Sequence, residues 1–148
     1  MDNLSITTAI STMVLGSIAL YFSWQQKKIA HDQMMKELFT EFNKRYDDVN
    51  QFLEEIERLY PTIDALNLAP NAVELKNRAI DYFNLCAEEY FWYNKNRVDK
   101  EIWNSWFEGM NYWYNNVSSI KTLWEIEIRE KGRKTYYIEN GVGFFIDK

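Results

Sequence analysis

From Leu4 to Trp24 the chain carries no Asp, Glu, Lys, Arg or His, a run of twenty-one positions. As an α-helix that run spans about 31 Å, enough to cross the hydrocarbon core of a bilayer. A segment of this length has to be covered by lipid or by protein, and no other feature restricts the fold as strongly. Ser5, Thr7, Thr8, Ser11, Thr12, Ser17 and Ser23 make it only moderately apolar, but a helical hydroxyl can bond back to the carbonyl one turn earlier. Tyr21 and Trp24 suit a membrane interface, Lys27 and Lys28 follow at once, and Asp2 lies on the other side. Positive charge therefore falls C-terminal to the span, which predicts an inner-membrane, single-pass protein with its N-terminus outside and its main domain cytoplasmic.

Two alternatives stay open. Ser17-x-Ala19 offers the small-x-small pair of a signal-peptide cleavage site, although the positively charged n-region of such peptides is missing. A membrane-free helix buried in an oligomer is also compatible with seven hydroxyl side chains. Thr8, Thr12 and Gly16 recur at four-residue intervals, the small-xxx-small pattern that lets membrane helices approach closely, and they form a candidate contact face for self-association.

Beyond the lysines no Gly or Pro occurs until Pro61. Met35, Leu38, Phe42, Val49, Phe52, Ile56 and Leu59 follow a three-four alternation whose one gap falls at Arg45, beside Tyr46, so the membrane helix is expected to continue into a long amphipathic one, with Glu41–Arg45 and Glu54–Arg58 as outer-face i,i+4 pairs. Pro61 to Pro70 is a connector in which Ile63, Leu66 and Leu68 should tuck inward. Asn71 is the expected N-cap of the next helix, with Glu74 completing a capping box. Val73, Ile80, Phe83, Ala87, Tyr90 and Phe91 form its apolar stripe, and it should end near Tyr93. Asn94-Lys95-Asn96 is turn chemistry. Asp99 is then an N-cap and Val98 a staple onto Trp103 for a third helix, whose inner face carries Trp103, Trp106, Met110, Trp113 and Val117. A last helix starts at Ser118 or Ser119, turns Ile120, Leu123, Trp124 and Ile128 inward, carries Glu125–Arg129 and Glu127–Lys131 pairs, and stops before Gly132 as a left-handed C-cap. Thr135–Ile138 and Val142–Ile146, around Asn140-Gly141, look like a small hairpin that needs the bundle or another subunit for support.

The stretch from Tyr90 to Tyr114 holds ten aromatic residues in twenty-five positions. Side chains burying roughly 150–250 Å² each have to form a core or a contact surface at that density. Tyr90, Phe91, Trp103, Trp106, Phe107 and Trp113 are the expected aromatic core. The fold class is all-α: an anchor (residues 1–26), a helical bundle of the long helix and about three others (27–131), and a tail (132–148) that is a β-hairpin or extended. With 148 residues, one domain and an anchor fit; two prolines and five glycines favour long helices. A net charge of −5 without runs of one sign gives no reason to expect DNA or RNA as partner.

Chemistry is sparse. His31 is the single histidine and Cys86 the single cysteine; the first reads as interfacial or solvated, the second as a small core residue facing a reducing compartment. They are too far apart for a zinc cluster or a Glu-x-x-His di-metal site, so no cofactor and no catalytic residue is expected. The adjacent acids Asp47-Asp48, Glu54-Glu55 and Glu88-Glu89 read as solvated charge, and Gly141-Val-Gly143 opens no helix. Arg129, Lys131, Arg133 and Lys134, followed by Tyr136 and Tyr137, place cations and stacking groups at a helix end. The helix dipole accounts for the cations, and the alternative is a site for an anionic headgroup or a small nucleotide.

The run Tyr90-Phe-Trp-Tyr93, a polar turn, then Val98-Asp99-Lys-Glu-Ile-Trp103-Asn-Ser-Trp106-Phe-Glu-Gly109-Met110 resembles a bacterial family of small membrane-anchored helical proteins in which a hydrophobic-Asp-x-x-x-Trp-x-x-Trp/Phe box follows an aromatic pair. The likeness covers roughly residues 1 to 125 and implies the same layout, without an activity. In size and layout the chain is also similar to small membrane effectors of bacterial antiviral systems, whose cytoplasmic domains sense a nucleotide or a partner. Together these features lead to the expectation of a membrane-anchored binding or assembly module, homo-oligomeric or with a protein partner and not an enzyme. The alternative is a gated effector that disrupts the bilayer.

Overall fold

A computed structural model describes residues 3–139 and 143–147. It is all-helical: α1 (Asn3–Leu59), α2 (Ile63–Asn67), α3 (Ala72–Asn94), α4 (Lys100–Asn116), α5 (Ser118–Lys131) and a 3-10 turn, Arg133–Tyr136, with no strand among the described residues. The chain divides into two units, residues 1–38 and 39–148.

In the first unit, every residue from Ile6 to Trp24 is exposed. Ser11 Oγ donates to Thr7 O, Thr12 Oγ1 to Thr8 O and Ser17 Oγ to Met13 O, each at 2.9 Å. These hydroxyl protons are thus satisfied within the helix.

The second unit is a bundle. The α1 residues Phe42, Val49, Leu53 and Ile56 face its core, and Pro61 ends that helix because proline cannot donate to the carbonyl ladder. Ser119 anchors the chain reversal: its N–H donates to Pro61 O at 2.9 Å and its Oγ to Tyr60 O at 2.8 Å. The expected serine cap of α5 is thereby replaced by a tie between helices, and only Val117 separates α4 from α5. The connector folds into α2, capped by Thr62, whose hydroxyl accepts from Ala65 N. Leu66 is buried there, but Leu68 is 86% exposed and Ala69 takes the inner place.

Two further capping expectations fail. Asn71 makes no cap bond to α3 and instead donates to Glu55 Oε1 at 3.3 Å; Asp99 stands at the N-cap of α4 with extended backbone but no side-chain bond. Val73 is 74% exposed, while Leu75, Ala79, Tyr82, Phe83 and Cys86 are buried, so the inner face of α3 is rotated from the expected stripe. Asn96, at φ 54°, turns the chain from α3 to α4, and Tyr93 stacks on Trp103 across that turn, with ring centroids 4.5 Å apart.

Gly132 has φ 83° but ψ 151°, outside the left-handed helical well expected of it. Glu125–Arg129 aside, the outer pair of α5 forms: Lys131 Nζ lies 2.9 Å from Glu127. Thr135 and Tyr136 belong to the 3-10 turn and not to a strand, because the Tyr136 ring is drawn inward against Trp124 at 4.8 Å. The Asn140-Gly141 turn lies outside the described residues. After it, Phe144 and Phe145 enter the core, touching Trp124, Phe83, Tyr82, Tyr90 and Tyr114.

Candidate functional site

The helix period places Tyr82, Cys86 and Glu89 on one stripe of α3, and all three are buried, Glu89 being only 6% exposed. Beside them on α1 stand Arg45 and Tyr46. Arg45 holds the neighbouring Glu88 through two parallel bonds, Nη1 to Oε2 at 2.6 Å and Nη2 to Oε1 at 3.0 Å, the fork geometry that suits a guanidinium. The expected Glu41–Arg45 pair gives way to this contact between α1 and α3. Glu88 and Glu89 therefore have opposite fates: the first is paired, the second is enclosed without a hydrogen bond or salt bridge among the described residues. Neither is the freely solvated charge expected of them.

Burial pushes the Glu89 carboxyl up to about 8, against the opposing pull of Arg45 and with a smaller upward push from Glu88. It is uncharged at neutral pH. Burial, reinforced by Glu89, holds the Cys86 thiol well above its ordinary range, so it stays protonated and is not an activated nucleophile. Burial likewise raises Tyr82 well above 10, and the Cys86 thiol one turn on pushes it the same way, by charge and as a weak hydrogen-bonding neighbour. Tyr46 accepts from Trp113 Nε1 at 3.0 Å; burial raises it, with Trp113 pulling the other way.

These groups border a cleft of about 220 Å³ between α1, α3 and α4, lined by Asn43, Tyr46, Tyr82, Glu89, Ser105, Trp106, Gly109 and Met110. Trp106 is half-buried at its edge, parallel to Phe39 at 6.2 Å and edge-on to Phe42 at 5.6 Å. Among the described residues, no group of three His, Cys, Asp or Glu side chains could hold a metal ion.

The residues singled out from sequence scatter. Of the aromatic set, Trp103 and Trp113 are buried, whereas Tyr90, Phe91, Trp106 and Phe107 are half-buried. Of the basic set, Lys134 and Tyr137 share a cleft of about 460 Å³ with Tyr90, Phe91, Asn94, Lys95 and one acid, Glu139. Arg133 borders a different cleft, Arg129 is exposed, and Lys131 is engaged by Glu127. Tyr136 is unavailable to a ligand: it is buried and its hydroxyl donates to Glu127 Oε2 at 3.1 Å. In the first unit, Thr8, Thr12 and Gly16 are exposed, and His31 Nδ1 lies 3.8 Å from Asp32 Oδ1.

Sequence reasoning missed Glu89, Tyr82 and Tyr46. A signal was present: Glu89 lies seven residues after Tyr82 and three after Cys86, which places an acid on an otherwise uncharged helix stripe. No protein-family profile, curated protein or solved structure matches this chain.

Proposed function

We propose that this protein is a membrane-anchored helical module that acts by self-association or by binding a protein partner, without catalysis. One observation carries the proposal: within the first unit every described residue from Ile6 to Trp24 is exposed, Ile6, Ile10, Met13, Val14, Leu15, Ile18, Leu20 and Phe22 among them. Each such side chain gains about 1.5–3 kcal/mol on leaving water, and the hydroxyls that would resist transfer to lipid are already bonded to the helix backbone. Lys27 and Lys28 set the bundle on the cytoplasmic side. Gly16 leaves open space where a Cβ would stand, so a neighbouring helix can approach along Thr8, Thr12 and Gly16.

Fractionation of the full chain beside a chain beginning at Lys27 tests the anchor. The full chain should require detergent and the shorter one should not; equal solubility of both without detergent overturns it. In nanodiscs the full chain should be oligomeric, and Gly16→Leu should shift it toward monomer with the bundle still folded.

A second function, gating of the membrane segment by a small anionic ligand such as a nucleotide, is favoured by the cleft that joins Lys95 and Lys134 to Tyr137. Saturable nucleotide binding lost in a Lys95→Gln, Lys134→Gln double variant would support it, and its absence would remove it.

A further inference from the structure

The groove between α3, α4 and α5 already holds an extended segment, and that segment displays what the groove reads. Phe144 and Phe145 sit side by side in it, Phe144 against Tyr90 and Trp124, and Phe145 stacked on Tyr114 at 4.9 Å. Two amide side chains of α4 meet the backbone: Asn111 donates to Phe144 O and accepts from Ile146 N, and Asn115 donates to Ile146 O. Lys121 closes the end by pairing with Asp147. Each of these partners lies between Tyr90 and Trp124, so the seat is defined by the bundle and not by the stretch of chain that leads into it. Asn111 is itself only 1% exposed, so an empty groove would strand a donor and an acceptor beside bare aromatic rings.

Two features make the occupant exchangeable. Beside the seated tail the groove stays open as a cleft of about 360 Å³, walled by Glu125, Ile128 and Arg133 on the bundle side and by Phe145 and Ile146 on the tail side. An incoming segment therefore has a place to land next to the resident one. The return that seats the tail within its own chain is also tight: Ile138 and Gly143, five positions apart, are pressed together so closely that a Cβ on Gly143 would stand 2.5 Å from Ile138 Cδ1. A short, tight join favours trading the segment it leads to between copies.

We propose that this groove takes residues 143–147 of a second copy, the two tails being exchanged across a symmetric pair. The inference rests on the self-association put forward above and names the segment that carries it. Every contact of the seat is the same whether the tail comes from its own chain or from the neighbour. What differs is the tight return between Ile138 and Gly143, which exchange relieves, and the concentration of neighbours, which a shared membrane plane raises. A second copy is also the occupant whose chemistry matches throughout: two adjacent aromatic rings for the pocket, backbone groups for the two asparagines, and an acid two positions beyond Phe145 for Lys121.

The test uses two full-length copies co-expressed in the same cells, one carrying Lys121→Gln and the other Asp147→Asn. A carbodiimide joins a lysine amine to a carboxylate in direct contact, so a Lys121–Asp147 link between these copies forms when Asp147 of the first lies in the groove of the second. Wild type gives the reference yield, and peptide mass spectrometry identifies the link. Complete exchange with random pairing gives about a quarter of the wild-type yield, because half of the pairs are mixed and each offers one link of two. The expected yield is at least roughly a tenth of wild type; a yield no greater than that of copies expressed apart and then mixed overturns the proposal. Asn140→Pro with Gly141→Pro in both copies opposes the tight return and should keep the mixed link or raise it toward that quarter. A fall to background overturns the exchange, since that is the behaviour of copies lying side by side with their tails at home. Circular dichroism and tryptophan fluorescence check that all variants are folded. The mass in nanodiscs separates the two readings: oligomers without a mixed link overturn the exchange and leave self-association standing, whereas a strict monomer overturns both.

Discussion

Replacing Glu89 by glutamine should flatten the dependence of bundle stability on pH. In the folded chain the carboxyl keeps its proton up to about 8, whereas its ordinary value is 4.5. Unfolding therefore releases a proton between those two values, and rising pH favours the unfolded state over that whole interval. Below 4.5 the residue costs nothing; above about 8 the cost is complete. At about 1.4 kcal/mol per pH unit the interval corresponds to on the order of 5 kcal/mol, of which on the order of 3 kcal/mol is already present at pH 7. Glutamine has nearly the same shape and is neutral at every pH. Thermal unfolding of the full chain in detergent, followed by the fluorescence of Trp103, Trp113 and Trp124, measures the difference. The wild-type midpoint should drop roughly 15 °C more than that of Glu89→Gln between about pH 5 and pH 8, taking about 4 °C per kcal/mol for a domain of this size. Parallel pH profiles for the two proteins would refute the claim that Glu89 is neutral in the fold.

Further expectations follow from the packing. Trp113→Ala removes a buried indole and its bond to Tyr46 and should cost about 3–5 kcal/mol, enough to unfold much of an ordinary domain; the half-buried Trp106→Ala should cost clearly less, which chemical denaturation distinguishes. Arg45→Met leaves Glu88 unpaired at a partly exposed site, for about 1 kcal/mol, and it removes the cation that opposes burial at Glu89, so a carboxyl titration by NMR should move further upward. Asn111→Ala should cost on the order of 2–3 kcal/mol by leaving buried carbonyl and amide groups unmet, and hydrogen exchange should rise first at Ile146, whose N–H loses its acceptor.

The order of helices was legible because each is announced by period and punctuation: Pro61, the Asn94-Lys95-Asn96 turn and Gly132 stand close to the observed boundaries. The faces were less legible. The inner side of α3 contains Leu75, Ala79, Tyr82 and Cys86, and what rotates it is the fit against α1 and α5, which no window of α3 contains. Caps failed for a related reason. Asn71 and Ser119 carry cap chemistry, yet each spends it on another helix, Glu55 in one case and the Tyr60 carbonyl in the other. The candidate site was hidden by adjacency: Glu88 and Glu89 are chemically alike in sequence, and only the placement of Arg45, forty-three residues earlier, decides which one is paired and which one is sealed in.

The tail shows how a segment with strand composition can be held without a strand. Phe144 and Ile146 are two residues apart, the spacing at which one edge of an extended segment presents its backbone groups. Instead of a neighbouring strand, two asparagines one turn apart on α4 meet that edge. Asn111 Nδ2 donates to Phe144 O at 3.0 Å, Asn111 Oδ1 accepts from Ile146 N at 2.8 Å, and Asn115 Nδ2 donates to Ile146 O at 3.0 Å. A primary amide carries both a donor and an acceptor, so it can stand in for a peptide group of a partner strand. With these bonds supplied by α4, the two phenylalanines can leave the alternation of a hairpin and sit side by side in the core, where Phe145 stacks on Tyr114 at 4.9 Å. Trp124 and Tyr136 close over them, and the 3-10 turn that removes Tyr136 from the expected strand is the geometry that allows it.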